Sequence, residues 1–321
     1  MAVSFILGTI ATEAEAIPLR AQITAKGASS PQTWYVVEAT VSGVIVSGSP
    51  SGRSGNLVAF SKIDSIAFDE PEEWADAMES YSREEFSTAA KKFSKIYTDY
   101  LGLVSYEDSY SARAKFLQME SLRRKGEYEA LAKEVDGLLR KPIALSAAYT
   151  NQLQLNKAWG YAERKAWRAL AQLLAEYEGE KQGGERNPNA VPLKELPAAE
   201  FVQVAYLRAL LTGSEEGKEK AVLNDYSRAF LMSFGAEKSV ASKAVLAALE
   251  LLKNHPDIET SRALKGEAYA LAMTYKFVYG KGILPAEYKA FETPPPAEET
   301  EETETETEEA EAEAEAEVEV E

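Results

Sequence analysis

A stripe of apolar residues at helical spacing recurs along most of this chain, and it constrains the fold more than any other feature. Residues three or four positions apart lie on one face of a helix. The first stripe consists of Phe86, Ala89, Ala90, Phe93, Ile96, Tyr97 and Tyr100. Similar stripes predict helices over 106–125, 127–140, 145–162, 164–179, 197–213, 215–234, 237–254 and 259–280. Paired in order, these helices predict a mainly α fold with about five antiparallel hairpins over residues 71–282, the pattern of a helical-repeat solenoid.

Residues 17–69 follow a different period and predict a small all-β unit. The segment 33–41 alternates in polarity and is rich in β-branched and aromatic residues. Shorter candidate strands lie at 44–46 and 57–60, on either side of a loop rich in Gly, Ser and Pro, and apolar residues at 63, 66 and 68 close the unit. Four or five strands of this length suggest a small barrel or a curled sheet that the helical region supports.

Two segments depart from the regular pattern. Residues 180–197 contain two glycines and three prolines, so we interpret them as a surface loop that interrupts the helical domain, with a true domain boundary as the alternative. Residues 283–321 form a tail rich in Pro and Glu, and 14 of the chain's 52 acidic residues lie in 293–321. Low complexity and dense like charge prevent the burial of apolar surface, so we expect this tail to be disordered.

The charge balance argues against a nucleic-acid partner, and the hydropathy argues against a transmembrane segment. The net charge is −17, but the 35 basic residues nearly balance the acidic ones once the tail is set aside. Nucleic-acid binding needs a basic face that displaces counterions, so we expect no nucleic acid as a partner. The sequence has no apolar run of about 18 residues or more, so it predicts no transmembrane segment.

The side chains that carry common catalytic chemistry are scarce. The absence of cysteine excludes disulfides, thiolate nucleophiles and cysteine-ligated metals. The single histidine, His255, lies at the end of a predicted helix, where we expect it to cap the last carbonyls. No phosphate-loop motif follows the glycines of 47–55, and no metal-ligand spacing is present. We therefore expect no enzyme activity, no cofactor and no metal.

Residues 1–16 resemble a secretory signal peptide. An apolar run covers residues 2–11, and Ala14 and Ala16 supply the small residues of an A-x-A cleavage site. The run lacks the basic segment that normally precedes it, so a first β-strand of a cytoplasmic protein is the alternative. Cleavage would make Ile17 the mature N-terminus, and the protein would then reach the periplasm or the cell envelope.

Residues 72–97 carry small and aromatic residues at the spacing of two short helices. Ala77 is a small residue of the first helix, and Phe86, Ala89 and Phe93 are aromatic, small and aromatic positions of the second. With these residues the segment resembles a tetratricopeptide repeat.

A second stretch, 115–135, carries the same resemblance less fully. Gly126, Glu127 and Tyr128 resemble the family's turn into the second helix, whereas Leu131 lies where the family prefers alanine. The interval from Phe86 to Tyr128 is 42 residues, longer than the family's repeat. The resemblance covers residues 71–142, and it implies a superhelix with a groove for protein ligands and no catalytic site.

The predicted helix 145–162 carries a candidate protein-binding surface. Its apolar face includes Trp159, and beside that face lie polar and aromatic residues at helical spacing. A ligand groove would present such a strip, and so would two packed helices with one wet edge. The candidate protein-binding residues are Tyr149, Gln152, Asn156 and Trp159.

The sequence thus favours a non-enzymatic protein-binding scaffold of the cell envelope or the secreted space. A cytoplasmic adaptor or chaperone-like binder with the same fold is the alternative. An enzyme with an unrecognised carboxylate-based site is the least favoured hypothesis.

Overall fold

The structure is a computed structural model that describes residues 16–177, 196–215, 217–233 and 235–296. The signal-like segment, nearly all of the predicted loop at 180–197 and the acidic stretch from residue 297 onward lie outside the described residues. The chain divides into two compact units, Met1–Ala244 and Val245–Glu321.

The first unit begins with five β-strands, which are β1 Leu19–Ala25, β2 Gln32–Ala39, β3 Gly43–Ser47, β4 Asn56–Ala59 and β5 Ile63–Phe68. They form one antiparallel sheet in the order β4-β3-β2-β1-β5. The edge strands β4 and β5 do not pair with each other among the described residues, so the sheet is open and the barrel alternative is not formed.

One face of the sheet packs against the start of the helical region, as the sequence predicted. Its alternating buried residues include Ala21 and Ile23 on β1. A short 3₁₀ turn, Leu101–Leu103, covers this face with the buried side chain of Leu103. A Cβ atom on Gly102 would lie 2.2 Å from the carbonyl oxygen of Val37, so only glycine permits this close approach of turn and strand.

Ten α-helices follow among the described residues, and each helix that the sequence predicted is present with its ends displaced by a few positions. They are α1 Trp74–Ser82, α2 Phe86–Asp99, α3 Tyr110–Lys125, α4 Tyr128–Arg140, α5 Ala147–Glu163, α6 Trp167–Leu174, α7 Ala198–Thr212, α8 Glu219–Leu231, α9 Lys238–Lys253 and α10 Arg262–Thr274. The fold is therefore mainly helical with a small N-terminal antiparallel sheet.

Helices of the first unit contact their neighbours in a regular order. The pairs α1–α2, α3–α4, α5–α6 and α7–α8 are each in contact. From the second pair onward, the first helices of successive pairs also touch: α3 contacts α5, and α5 contacts α7. This arrangement places α3, α5 and α7 side by side, and the candidate site lies along them.

The first three helical pairs use the same turn between their two helices. In each turn one residue has a left-handed backbone, and these residues are Glu84 (φ 60°), Gly126 (φ 83°) and Lys165 (φ 53°). The next residue donates its backbone N–H to a carbonyl five positions earlier, as in Glu127 to Leu122. An aromatic residue then begins the second helix: Phe86, Tyr128 or Trp167.

The second unit contains α10, a π-helical turn Tyr275–Tyr279 and a 3₁₀ helix Ala286–Glu292. The sequence predicted a disordered tail from residue 283, but the chain is folded up to residue 292. Leu284 and Tyr288 are buried, and the Tyr288 hydroxyl donates to a carboxylate oxygen of Glu250 at 3.1 Å. Burial of these two side chains folds the segment up to residue 292.

Candidate functional site

The four candidate residues on α5 differ in their exposure to solvent. Tyr149 and Gln152 are half-buried, whereas Asn156 is 0% exposed and Trp159 is 2% exposed. A partner that approaches this helix could therefore touch Tyr149 and Gln152 directly, but not the other two side chains. The burial of Asn156 and Trp159 instead fits the alternative interpretation, in which these residues lie between packed helices.

Trp159 connects three helical pairs through its ring. The indole stacks on Tyr128 of α4 with the ring centroids 4.7 Å apart, and on Tyr206 of α7 at 5.3 Å. Its Nε1–H donates a hydrogen bond of 3.0 Å to the side-chain oxygen of Gln203 on α7. A buried tryptophan needs such an acceptor, and Gln203 supplies it from the next pair.

Two further tryptophans of the first unit, Trp74 and Trp167, differ in burial. Trp74 is buried between Phe93 and Tyr110, whereas Trp167 is half-buried at the edge of the core. Tyr149 packs its ring edge against Phe116 of α3 at 5.1 Å, so it also serves the contact between α3 and α5.

Gln152 is the centre of a polar network that joins α3, α5 and α7. Its amide nitrogen lies 3.1 Å from Glu120 Oε2 and 3.3 Å from Gln203 Oε1, and its oxygen accepts from Gln203 Nε2 at 3.0 Å. The same nitrogen lies 3.1 Å from Asn156 Oδ1. Within the described part of the chain, Asn156 Nδ2 is the buried side-chain nitrogen that finds no acceptor.

Two arginines hold the carboxylate of Glu120 in the interior of the first unit. Arg123 donates to both of its oxygens, and Arg124 Nε donates to Oε1 at 2.9 Å. Burial opposes ionisation of Glu120, but the charge of Arg123 and the hydrogen bonds from both arginines outweigh it and lower the pKa of the carboxyl group. Glu120 is therefore a buried carboxylate that stays charged.

Glu237 joins the same cluster from a position 114 residues further along the chain. Arg123 donates to its two oxygens at 2.8 and 2.9 Å, and the side chains of Arg123 and Glu237 are 0% and 6% exposed. Two parallel hydrogen bonds between a guanidinium and a carboxylate form the strongest common type of ion pair. We name Glu120, Arg123, Arg124 and Glu237 the charge cluster.

A cavity of about 520 Å³ lies beside the charge cluster. Its walls come from the α1–α2 turn, the end of α3, the start of α7 and the segment that leads into α9. The lining residues are Glu84, Phe86, Arg124, Ala199, Gly235, Ala236, Glu237, Lys238 and Ser239. This volume lies within the range of about 300–1,000 Å³ that is typical of ligand pockets.

Arg124 has the geometry of a binding group in this cavity. Its guanidinium carbon lies 5.3 Å from the ring centroid of Tyr81 and 5.9 Å from that of Phe86, and its Nε is fixed by Glu120. The side chain is 39% exposed, and its terminal nitrogens donate to none of the described residues. Lys238 is exposed and forms no ion pair with any residue that the structure describes.

Burial raises the pKa of the Tyr81 hydroxyl to about 12, and the negative charge of Glu120 adds to this effect. Tyr81 therefore stays neutral beneath the Arg124 guanidinium. The aromatic ring and the guanidinium attract each other, which keeps the arginine plane oriented.

The sequence could not identify the charge cluster. The basic run 123–125 ends a helix, where the helix dipole alone would account for it, and Glu237 belongs to no motif. A pair separated by 114 residues leaves no local signal in a single sequence. His255 also behaves differently from expectation, because its Nδ1 accepts a hydrogen bond from the backbone N–H of Asp257 at 3.1 Å and does not bind a helix carbonyl.

The described residues contain no cluster of three or more side chains able to hold a metal ion, and no helix among them is long and apolar enough to cross a membrane. No protein-family model, no curated protein and no solved structure matches this chain significantly.

Proposed function

We propose that this protein is a non-catalytic helical-repeat protein that binds another protein, and that a segment of the partner enters the cavity beside the charge cluster. The carrying observation is the combination of this cavity with Arg124, whose terminal nitrogens point to no described acceptor. A guanidinium with a fixed plane binds a planar carboxylate through two hydrogen bonds. The exposed ammonium of Lys238 adds a second positive charge on the wall. The wall also carries the carboxylates of Glu84 and Glu237, so the proposed ligand is an acidic segment whose carboxylates bind at Arg124 and Lys238.

The repeated turn supports a solenoid of the tetratricopeptide type. Equivalent aromatic residues begin the second helices at 86, 128 and 167, and each is followed by buried residues three, seven and ten positions later. The adjacency of α3, α5 and α7 is typical of repeats whose first helices line one side. Such a side is the usual location of a binding surface in repeat proteins.

A capture experiment with native cell extract tests the proposed function. The full chain would be compared with the double variant Arg124→Gln and Lys238→Gln, which removes both positive charges from the cavity. The matched control is Lys91→Gln with Lys133→Gln, which removes two exposed charges from α2 and α4. We expect the same partners with the wild type and the control, and their loss with the cavity variant. Equal recovery by all three proteins would contradict binding in this cavity.

We further propose that the protein is exported, with a cytoplasmic adaptor as the alternative. The apolar run 2–11 and the small residues Ala14 and Ala16 support export. N-terminal sequencing of the protein from its native host separates the two proposals. A chain that begins at Ile17 in an envelope fraction is expected, whereas a cytosolic chain that retains residues 1–16 would favour the adaptor.

A further inference from the structure

We propose that Glu237 is an internal occupant of the binding site, which an incoming carboxylate displaces from Arg123. This inference rests on the proposed function and adds a control on access to the same cavity. The segment 235–239 supplies five of the nine lining residues that the structure describes, so its position decides the shape of the cavity. Glu237 is the residue of this segment that reaches the charge cluster.

The backbone at Glu237 is in a conformation that favours glycine. Its φ is 48°, and glycine occupies a similar conformation two residues earlier, at Gly235 (φ 84°). A side chain with a Cβ atom is strained in this region. The backbone N–H groups of Val240 and Ala241 both donate to the Glu237 carbonyl, so the strained residue also begins α9. The ion pair with Arg123 holds the side chain of this strained residue in place.

The charges of the cluster show what could replace Glu237. Two guanidinium groups, Arg123 and Arg124, face two carboxylates, Glu120 and Glu237, so the cluster is neutral. When Glu237 leaves, Arg123 keeps both hydrogen bonds to Glu120, and the cluster carries one positive charge. The neighbouring Tyr81 and Gln152 are uncharged, and the carboxylate of Glu84 on the cavity wall forms no ion pair with either arginine. A carboxylate from the partner restores neutrality at the nitrogen atoms that Glu237 vacates.

Hydrogen exchange followed by mass spectrometry tests, without any ligand, whether the ion pair with Arg123 keeps Glu237 in place. The variant Glu237→Gln keeps the size of the side chain but weakens its bond to Arg123. We expect the amides of Val240 and Ala241 to exchange about 10-fold faster or more, because a hydrogen bond between two charged groups contributes that much to an equilibrium. The control Glu79→Gln breaks an exposed ion pair with Arg83 on α1 and should leave these amides unchanged.

Unchanged exchange at these two amides in the folded Glu237→Gln variant would overturn the proposal. If that variant proves unfolded by circular dichroism, Glu237→Asp serves as the second variant, since it keeps the charge and shortens the reach. Faster exchange confined to peptides around residues 235–241 then supports the proposal, and exchange equal to the wild type refutes it.

A second measurement separates this proposal from the proposed function. A hexaglutamate peptide would be titrated calorimetrically into the wild type, Glu237→Gln and the double variant Arg124→Gln with Lys238→Gln. We expect about 10-fold tighter binding to Glu237→Gln than to the wild type, because no internal carboxylate competes, and weaker binding to the double variant. Equal affinity of the wild type and Glu237→Gln would sink the displacement idea alone. Full affinity of the double variant would contradict the proposed cavity instead.

Discussion

The first three helical pairs and the fourth share one packing pattern but not one turn. In the second helices, the residues three, seven and ten positions after the first are buried in all four pairs; in α8 they are Val222, Tyr226 and Ala229. The first residue of that helix is aromatic in α2, α4 and α6, but it is Glu219 in α8. The left-handed residue before α8 is Gly217, and it lies in a longer connection.

This difference distinguishes the residues that make two helices pack from the residues that give successive pairs the same geometry. Buried apolar residues at the right spacing are sufficient for two helices to pack, since burial is the main stabilising contribution. The turn and the aromatic residue after it add a fixed geometry that α7 and α8 do not reproduce. Trp159 lies where the two regions meet, because it contacts α4 on one side and α7 on the other.

The largest effect is expected at this junction. Trp159→Ala should lower the free energy of unfolding by about 3–5 kcal/mol, because it empties a fully packed position and removes the shorter of the two hydrogen bonds that the Gln203 oxygen accepts. Trp167→Ala should cost clearly less, since that ring is half-buried. Denaturant unfolding of both variants measures the difference. Equal losses would show that the junction has no special weight.

A somewhat smaller difference in the loss of unfolding free energy is expected between equivalent positions of the first and fourth helical pairs. Phe93 and Tyr226 both lie seven residues after the start of a second helix. Phe93→Ala should cost about 3–5 kcal/mol, since the ring is fully buried against Trp74. Tyr226→Ala should cost less, because the residue retains 7% exposure whereas Phe93 has none. Thermal and denaturant unfolding of the two variants check this order, and a larger loss at Tyr226 would contradict it.

The sequence predicted the packing positions well because burial leaves a periodic signal. Phe86, Ala89 and Phe93 lie on one face of α2 at helical spacing. Gly126 indicates a turn because glycine readily adopts a left-handed backbone. The turns at Glu84 and Lys165 escaped notice, since neither residue type favours a left-handed backbone. Near the candidate site, the sequence identified residues such as Gln152 and Trp159 but not the charge cluster. Arg123 and Glu237 come together through tertiary packing alone, which leaves no local pattern.

A pH dependence should reveal how much the charge cluster contributes to the first unit. The pKa of Glu120 is lower in the folded protein than its ordinary value of 4.5. Its contribution is therefore complete above that value, and it is lost as the pH falls through the folded-state pKa. Unfolding free energies measured between about pH 6 and about pH 3 should decline less steeply in Glu120→Gln than in the wild type. Parallel curves would show that Glu120 contributes nothing to this dependence.

The smallest effects are expected at the three shared turns, where they test whether the turns are truly equivalent. A left-handed residue other than glycine is strained by roughly 1–2 kcal/mol, and glycine removes this strain but gains entropy in the unfolded chain. Glu84→Gly and Lys165→Gly should therefore each stabilise the protein by up to about 1 kcal/mol. Gly126→Ala should destabilise it by about 1 kcal/mol or more, because alanine is strained at φ 83° and its Cβ would lie 3.1 Å from Lys243 Nζ.

Gly137 provides the matched control for these turns, because it lies within α4, no atom is within 4 Å of its would-be Cβ, and its φ is not left-handed. Gly137→Ala should stabilise the protein by about 0.5–1 kcal/mol, which is the ordinary preference of a helix for alanine. If the turns are equivalent, the signs at Glu84 and Lys165 agree with each other and oppose the sign at Gly126. A loss of stability in Glu84→Gly together with a gain in Lys165→Gly would show that similar φ angles conceal different turns, and the repeat would then extend only to the buried positions.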